Sequence, residues 1–142
     1  MARPSRKENV AKEQLEDGIV LFLEKRYVSS LTLLGAAAEI FEGLIHSKEG
    51  IEPFNHEWTR ANKVRSILGI KHISKGEIRK IYNEAKNQVK HHDLGDDESI
   101  QLDRFGEAFM MIQRATSGAN RLNIKYKNKL KYEKWFKNIT NT

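Results

Sequence analysis

The sequence contains no cysteine, only two prolines and no obvious membrane-spanning run of apolar residues. The absence of cysteine excludes disulfides, thiolate metal sites and a cysteine nucleophile, and it is typical of a reducing compartment. No uninterrupted apolar stretch approaches the roughly 20 residues of a membrane helix, and the first ten residues lack the apolar centre of a signal peptide. We therefore expect a cytoplasmic protein that does not contact a membrane.

What the sequence does contain is enough apolar material for one folded domain. The chain has 142 residues, of which 39% are hydrophobic and 31% are charged. This length can bury a core without disulfides or metals, and this hydrophobic content lies above that of disordered chains. We expect a single domain over residues 1–142.

Charge is unevenly distributed along the chain, whose net charge is +6. Between residues 120 and 138, Glu133 is the one acid, and the basic residues are Arg121, Lys125, Lys127, Lys129, Lys131, Lys134 and Lys137. Between residues 93 and 107, Arg104 is the one lysine or arginine, and the acids are Asp93, Asp96, Asp97, Glu98, Asp103 and Glu107. The basic segment could attract a polyanion, although a solvated lysine-rich helix face explains such a pattern more often.

Apolar residues recur at helical spacing along almost the whole chain, which predicts an all-α fold. The predicted elements form a compact bundle of five to six helices, at about 6–26, 30–46, 56–68, 75–91, 103–116 and 127–139. Ser5 with Glu8, and Ser74 with Glu77, have the spacing of capping boxes that begin helices. Asp103 is predicted to cap the fifth helix.

The stretch YNEAKNQVKHHD, residues 82–93, contains the most chemically suggestive side chains. A helical wheel places the core face of this helix at Ile78, Ile81, Tyr82, Ala85 and Val89. It places Asn83, Asn87, Lys90 and His91 on the outward side. His92 would turn back toward the core if the helix continued that far. An exposed histidine can act as a general acid or base without a metal, but it is more often a simple surface residue.

We expect neither a metal nor a cofactor at this stretch. His91 and His92 are adjacent, so on a helix their rings point about 100° apart and cannot readily share one ion. The aspartates from Asp93 to Asp97 lack the alternating spacing of a calcium loop.

Residues Lys86 to His91, with the sequence KNQVKH, resemble the signature of HEPN (higher eukaryotes and prokaryotes nucleotide-binding) domains. That signature is Arg-Asn, three residues and His; Asn87 and His91 match it, and Lys86 stands where the family has arginine. The segment from Glu24 to Leu44 also resembles the early helices of such domains. More narrowly, the segment FLEKRYVSSLTLLGAAAEIF, residues 22–41, together with Asn87, Lys90, His91 and Asp93, is similar to a group of uncharacterised bacterial helical proteins. That resemblance covers about residues 15–113.

The resemblance implies an up-and-down helical bundle that forms a homodimer and binds RNA or nucleotides. Many HEPN domains are metal-independent ribonucleases, and others bind RNA without cleaving it. In the former case His91 would be the acid or base, Lys86 would neutralise phosphate and Asn87 would orient them. Lys90 is an alternative cation. A lysine lacks the planar fork with which arginine grips two phosphate oxygens.

The last helix, predicted at 127–139, carries two different stripes. Lys127, Lys131 and Lys134 form one stripe, and the aromatic residues Tyr132, Trp135 and Phe136 form the other. The simpler interpretation is an amphipathic helix that docks through its aromatic side. The sharper one is that its lysines also contact nucleic-acid phosphates.

Three hypotheses therefore remain open from the sequence. The first is a HEPN-like RNA-binding module with possible weak ribonuclease activity at Asn87 and His91. The second is a helical dimerisation or interaction protein without chemistry. The third is a nucleic-acid-binding adaptor that uses the basic last helix.

Overall fold

The computed structural model describes residues 1–141, and that range contains six helices and no strand. The helices are α1 (Lys7–Leu23), α2 (Tyr27–Glu49), α3 (Asn55–Ile67), α4 (Lys75–Gln88), α5 (Arg104–Arg121) and α6 (Lys129–Thr140). They pack into a compact bundle. The predicted all-α class is confirmed.

Helix α2 is the central element and packs against α1, α4 and α5. Its directions relative to these neighbours follow from the cross-helix contacts. The Ser30 hydroxyl at the start of α2 donates to the Gly18 carbonyl near the end of α1 at 2.7 Å, so these helices are antiparallel. Glu42 and Glu49 pair with Arg114 and Arg121, so α5 runs parallel to α2.

Helix α4 runs antiparallel to α2. Lys86 near the end of α4 pairs with Glu39, whereas Arg79 near its start lines the same cavity as His46 further along α2. Helices α1, α2, α4 and α5 therefore alternate in direction, and α3 belongs to the connection between α2 and α4.

The main core lies between α1, α2 and α5, and α6 closes one side of it. Its largest fully buried apolar side chains are Phe22, Phe41, Leu15, Ile19, Leu31, Leu34 and Ile112. Helix α6 docks through the aromatic stripe that the sequence indicated. The ring of Trp135 meets that of Phe22 edge-on, with centroids 4.9 Å apart, and Phe136 stacks on Phe109.

Helices α2 and α5 approach closely because small residues lie at their contact. A Cβ added to Gly118 would lie 2.7 Å from the Cβ of Phe41, which is closer than carbon atoms can pack. Because the Phe41 Cβ is fixed to its backbone, it could not move aside without moving α2. The glycine therefore sets the spacing of the two central helices.

A second, smaller core joins α3 to α4. Phe54, Ile73 and Ile78 are its buried members, and Trp58, Ala61 and Tyr82 pack against them. The buried Asn62 amide holds the backbone of Ile73 on both sides: it donates to the carbonyl at 3.0 Å and accepts from the N–H at 2.7 Å. The Trp58 indole donates to the same carbonyl.

Two of the three predicted helix starts are confirmed by side-chain caps. The Ser74 hydroxyl accepts from the Glu77 N–H, and the Asp103 carboxylate accepts from the Gly106 N–H. The Ser5 prediction is wrong, because Arg6 is the N-cap of α1 and supplies no side-chain cap. The Ser5–Glu8 pair has the spacing of a capping box, but it lies one residue before the position at which the helix is capped.

Helix α2 is, in the part of the chain that the structure describes, long and apolar enough by length and composition to cross a membrane. An uninterrupted apolar run of that length is absent from the sequence because Glu39 and Glu42 lie within this helix, but the helix as a whole still meets the criterion. In the bundle α2 is the central core helix, and such helices commonly meet the same criterion.

Candidate functional site

Helix α4 ends before the two histidines are reached. Its last residue is Gln88, and Lys90, His91 and His92 are all exposed. Because the helix stops there, the condition under which His92 would turn toward the core is not met. Asn87 is exposed in the last helical turn.

Asn87 and His91 line one cavity of about 950 Å³ beside the loop that joins α4 to α5. Its walls carry six carboxylates, from Glu84, Asp93, Asp96, Asp97, Glu98 and Glu107. No lysine or arginine belongs to the described residues that line it. The cavity therefore has a negative potential, which opposes the approach of a phosphate group to His91.

The carboxylates also affect one another within this cavity. Partial burial raises the pKa of Glu107, and the neighbouring charges of Asp103 and Glu84 raise it further. Glu107 is therefore protonated more readily than an ordinary glutamate. None of the His, Asp and Glu side chains between residues 1 and 141 forms a group that could hold a metal ion.

Lys86 does not lie in this cavity. Its side chain is 3% exposed and extends from α4 across α2, where the ammonium pairs with the half-exposed carboxylate of Glu39. Its aliphatic stem occupies the space above Gly35, where an added Cβ would lie 2.8 Å from the Lys86 Cγ. The structure brings Asn87 and His91 together but places the Lys86 charge elsewhere.

The helical wheel misjudged the buried face of α4 by about one residue. Lys86 is buried and Asn83 is half buried, whereas Ile81, which was predicted to face the core, is 56% exposed. The amide oxygen of Asn83 is buried without a partner among the described residues. The face is rotated because Gly35 leaves space and Glu39 supplies a counter-charge for Lys86, and a wheel of α4 alone contains neither.

A largely buried arginine on α5, Arg114, was not predicted from the sequence. Arg114 grips Glu42 with two of its nitrogens, at distances between 2.8 and 3.1 Å, and its guanidinium lies over the Phe54 ring at 4.7 Å. A signal was present in the sequence, because Arg114 is three residues after Met111 and four before Gly118, both on the buried face of α5.

The Arg114 pair forms one wall of a second cavity, of about 490 Å³. Burial raises the pKa of Glu42, and the positive charge of Arg114 opposes this rise without cancelling it. Since each charged group has the other as its partner, the pair links α2 to α5 and leaves little unneutralised charge for a ligand.

The basic segment presents its lysines to solvent. Lys125, Lys127, Lys131, Lys134 and Lys137 are exposed, and none has an ion-pair partner among residues 1–141. The Lys127 N–H donates to the Glu16 carboxylate at 2.8 Å, which ties the start of this segment to α1. A rigid scaffold thus holds a row of free ammonium groups.

Comparison of the chain with protein-family models, curated proteins and solved structures gives no match. The resemblance to HEPN domains therefore stays a prediction.

Proposed function

We propose that the protein binds nucleic acid, RNA in the first instance, through the lysine-bearing side of α6 and the segment that precedes it. One observation carries this proposal: five exposed lysines between residues 125 and 137 have no acidic partner, while the aromatic side of α6 is fixed in the core. Lys131 and Lys134, three residues apart, lie on one face of α6, whereas Lys127 precedes the helix, which begins at Lys129 and not at residue 127 as predicted. Such a row neutralises backbone phosphates without reading sequence.

The electrostatic contrast within the molecule supports this choice of surface. The cavity beside His91 carries six carboxylates, so a polyanion is repelled there and attracted to α6. Lys90, the alternative cation of the α4 motif, stands exposed beside that cavity. The first sequence hypothesis named RNA and the third named nucleic acid in general, and this proposal joins the ligand of the first to the α6 surface of the third.

The test is the salt dependence of binding to a single-stranded RNA oligonucleotide, followed by fluorescence anisotropy. The double variant Lys131→Gln/Lys134→Gln should lower the affinity at low salt and reduce the slope of log K against log salt by about 0.7 for each lost contact. Truncation of α6 is unsuitable, because Tyr132 and its neighbours are part of the core.

The matched control is Lys7→Gln/Lys80→Gln, which removes the same charge from exposed positions on α1 and α4. If both double variants weaken binding equally, the effect reports net charge and the α6 surface is not the site.

Metal-independent RNA cleavage is a second candidate function, and it is favoured by the common cavity of Asn87 and His91. Because the Lys86 ammonium is already paired with the Glu39 carboxylate, a partner subunit would have to supply the cation that neutralises the RNA phosphate. The same RNA samples, analysed on a gel in the presence of a chelator, test this function. Cleavage that persists with chelator and disappears in His91→Ala would support it, and intact RNA throughout would exclude it.

A further inference from the structure

The end of α3 exposes four large aliphatic side chains within seven residues. Val64 is 50% exposed, Ile67 77%, Leu68 64% and Ile70 48%. Soluble proteins usually expose such residues singly, and a contiguous group indicates a contact surface. We refer to residues 64–70 as the α3 tip.

The local backbone holds these side chains together. Val64, Ile67 and Leu68 are spaced by three and four residues, so they lie on one face of the last helical turns. The chain then reverses at Gly69, which has a φ of 68°, and the Ile70 N–H donates to a carbonyl of the last helical turn at 2.8 Å. Ile70 is thereby kept beside the other three.

Positive charge surrounds this aliphatic surface. The segment from 58 to 76 contains no aspartate or glutamate, and its cations are Arg60, Lys63, Arg65, Lys71 and Lys75. Arg60 and Lys63 are each four residues before an exposed aliphatic residue, Val64 and Ile67 respectively, so they share its face of α3. Both are exposed, as is Lys71 just after the reversal.

The combination of aliphatic and basic side chains at the α3 tip favours some ligands over others. Aliphatic side chains gain free energy only by leaving water, so a nucleic acid would satisfy the cations and leave the aliphatics in water. Residues 64–70 line none of the cavities described above. An exposed aliphatic cluster flanked by cations matches a flat surface with anionic head groups above hydrocarbon.

We propose that the α3 tip binds anionic membrane surfaces. Ile67 and Leu68 enter the boundary between head groups and acyl chains, while Arg60, Lys63 and Lys71 contact lipid phosphates. This proposal departs from the sequence-based expectation of no membrane contact, and it concerns a surface different from the lysine side of α6.

Sedimentation with vesicles tests the proposal, comparing phosphatidylcholine alone with a mixture of phosphatidylcholine and phosphatidylglycerol. The protein should sediment with the anionic mixture. The variant Ile67→Ser/Leu68→Ser should lower the partition coefficient more than about tenfold, because two aliphatic side chains no longer leave water. The matched control is Leu130→Ser, which removes a 79% exposed leucine from the lysine-rich α6.

Insertion of the α3 tip into the membrane can be measured with a fluorescent label. Because the chain contains no cysteine, one introduced cysteine is labelled at a single position. An environment-sensitive fluorophore on Ile67→Cys should shift to the blue with anionic vesicles, and one on Leu130→Cys should not. Unchanged sedimentation of Ile67→Ser/Leu68→Ser, or an unshifted label at position 67, would overturn the proposal. So would binding of an acidic amphipathic peptide at the α3 tip without any vesicle binding, since it would assign the surface to a protein partner.

Discussion

At the scale of single residues, the burial of Lys86 is the feature with the clearest energetic consequence. Its ammonium is removed from water, whereas the Glu39 carboxylate is half exposed. Removing the carboxylate therefore leaves an uncompensated buried charge, while removing the ammonium leaves a carboxylate that water can still solvate. The two halves of one ion pair should differ strongly in their effect on stability.

We expect Glu39→Gln to lower the free energy of unfolding by about 2–3 kcal/mol, below the usual cost for a fully buried pair because Glu39 is half exposed. Lys86→Met, which keeps most of the aliphatic stem over Gly35, should change it by less than about 1 kcal/mol. Urea unfolding measures both values. The control Glu52→Gln breaks a solvent-exposed pair with Lys75 and should leave stability unchanged.

A larger loss in Lys86→Met than in Glu39→Gln would contradict this account. It would mean that the ion pair contributes net stability and that the aliphatic packing of the stem does not replace it.

The sequence allowed the two helix caps to be predicted but not the burial of Lys86. Ser74 and Asp103 were predicted correctly because a cap depends on residues within one turn. The burial of Lys86 depends on Gly35 and Glu39, which lie 47 or more positions earlier in the chain. No local pattern in α4 contains that information.

At the scale of helices, the contact between α2 and α5 depends on Gly118. We expect Gly118→Ala to destabilise the protein by about 1–3 kcal/mol, because the new methyl group meets the Phe41 Cβ and must push the helices apart. The matched control is Gly43→Ala in α2, where an added Cβ meets nothing within 4 Å. Alanine is the better helix former, so this control should stabilise by about 0.5–1 kcal/mol.

Thermal or urea unfolding of the two variants decides the matter. If both alanine variants were equally stabilised, a methyl group would fit between α2 and α5 at position 118, and Gly118 would not set the distance between these helices.

Apolar periodicity predicted the helices more accurately than it predicted their ends. Each of the six predicted segments corresponds to a helix in the structure, because apolar spacing and caps agree along most of the chain. The end of α4 was predicted three residues too late, because Lys90 and His91 continue an acceptable helical pattern, and the end of α5 was predicted five residues too early. The aromatic side of α6 was predicted because it needs only the 3.6-residue repeat.

At the scale of the whole molecule, the chain contains two cores of unequal size. The main core spans α1, α2 and α5, and the smaller one joins α3 to α4 around Phe54, Ile73 and Ile78. Few apolar contacts protect the smaller core, so it should open locally more often than the main one. The predicted fold class did not reveal this division, because apolar residues of α3 such as Val64 and Ile67 form a helical stripe whether or not another helix covers it.

Native-state hydrogen exchange should therefore find slow amides in α1, α2 and α5 and faster amides in α3 and the first half of α4, which belongs to the smaller core. The Ile73 N–H is expected to be an exception within the smaller core, since it donates to the buried Asn62 side chain. Uniform protection across all six helices would contradict the division into two cores and would indicate a single cooperative unit.

The two arginine–glutamate pairs between α2 and α5 bear on how much the length of the chain between these helices can vary. Both links join residues 72 positions apart, and they are spaced by seven residues, or two turns, on each helix. Together they fix the axial register of the pair through side chains alone. The exposed 93–101 segment carries no part of that register, so its length is free to change between relatives at a cost of only about 0.6 kcal/mol for each doubling of a flexible loop.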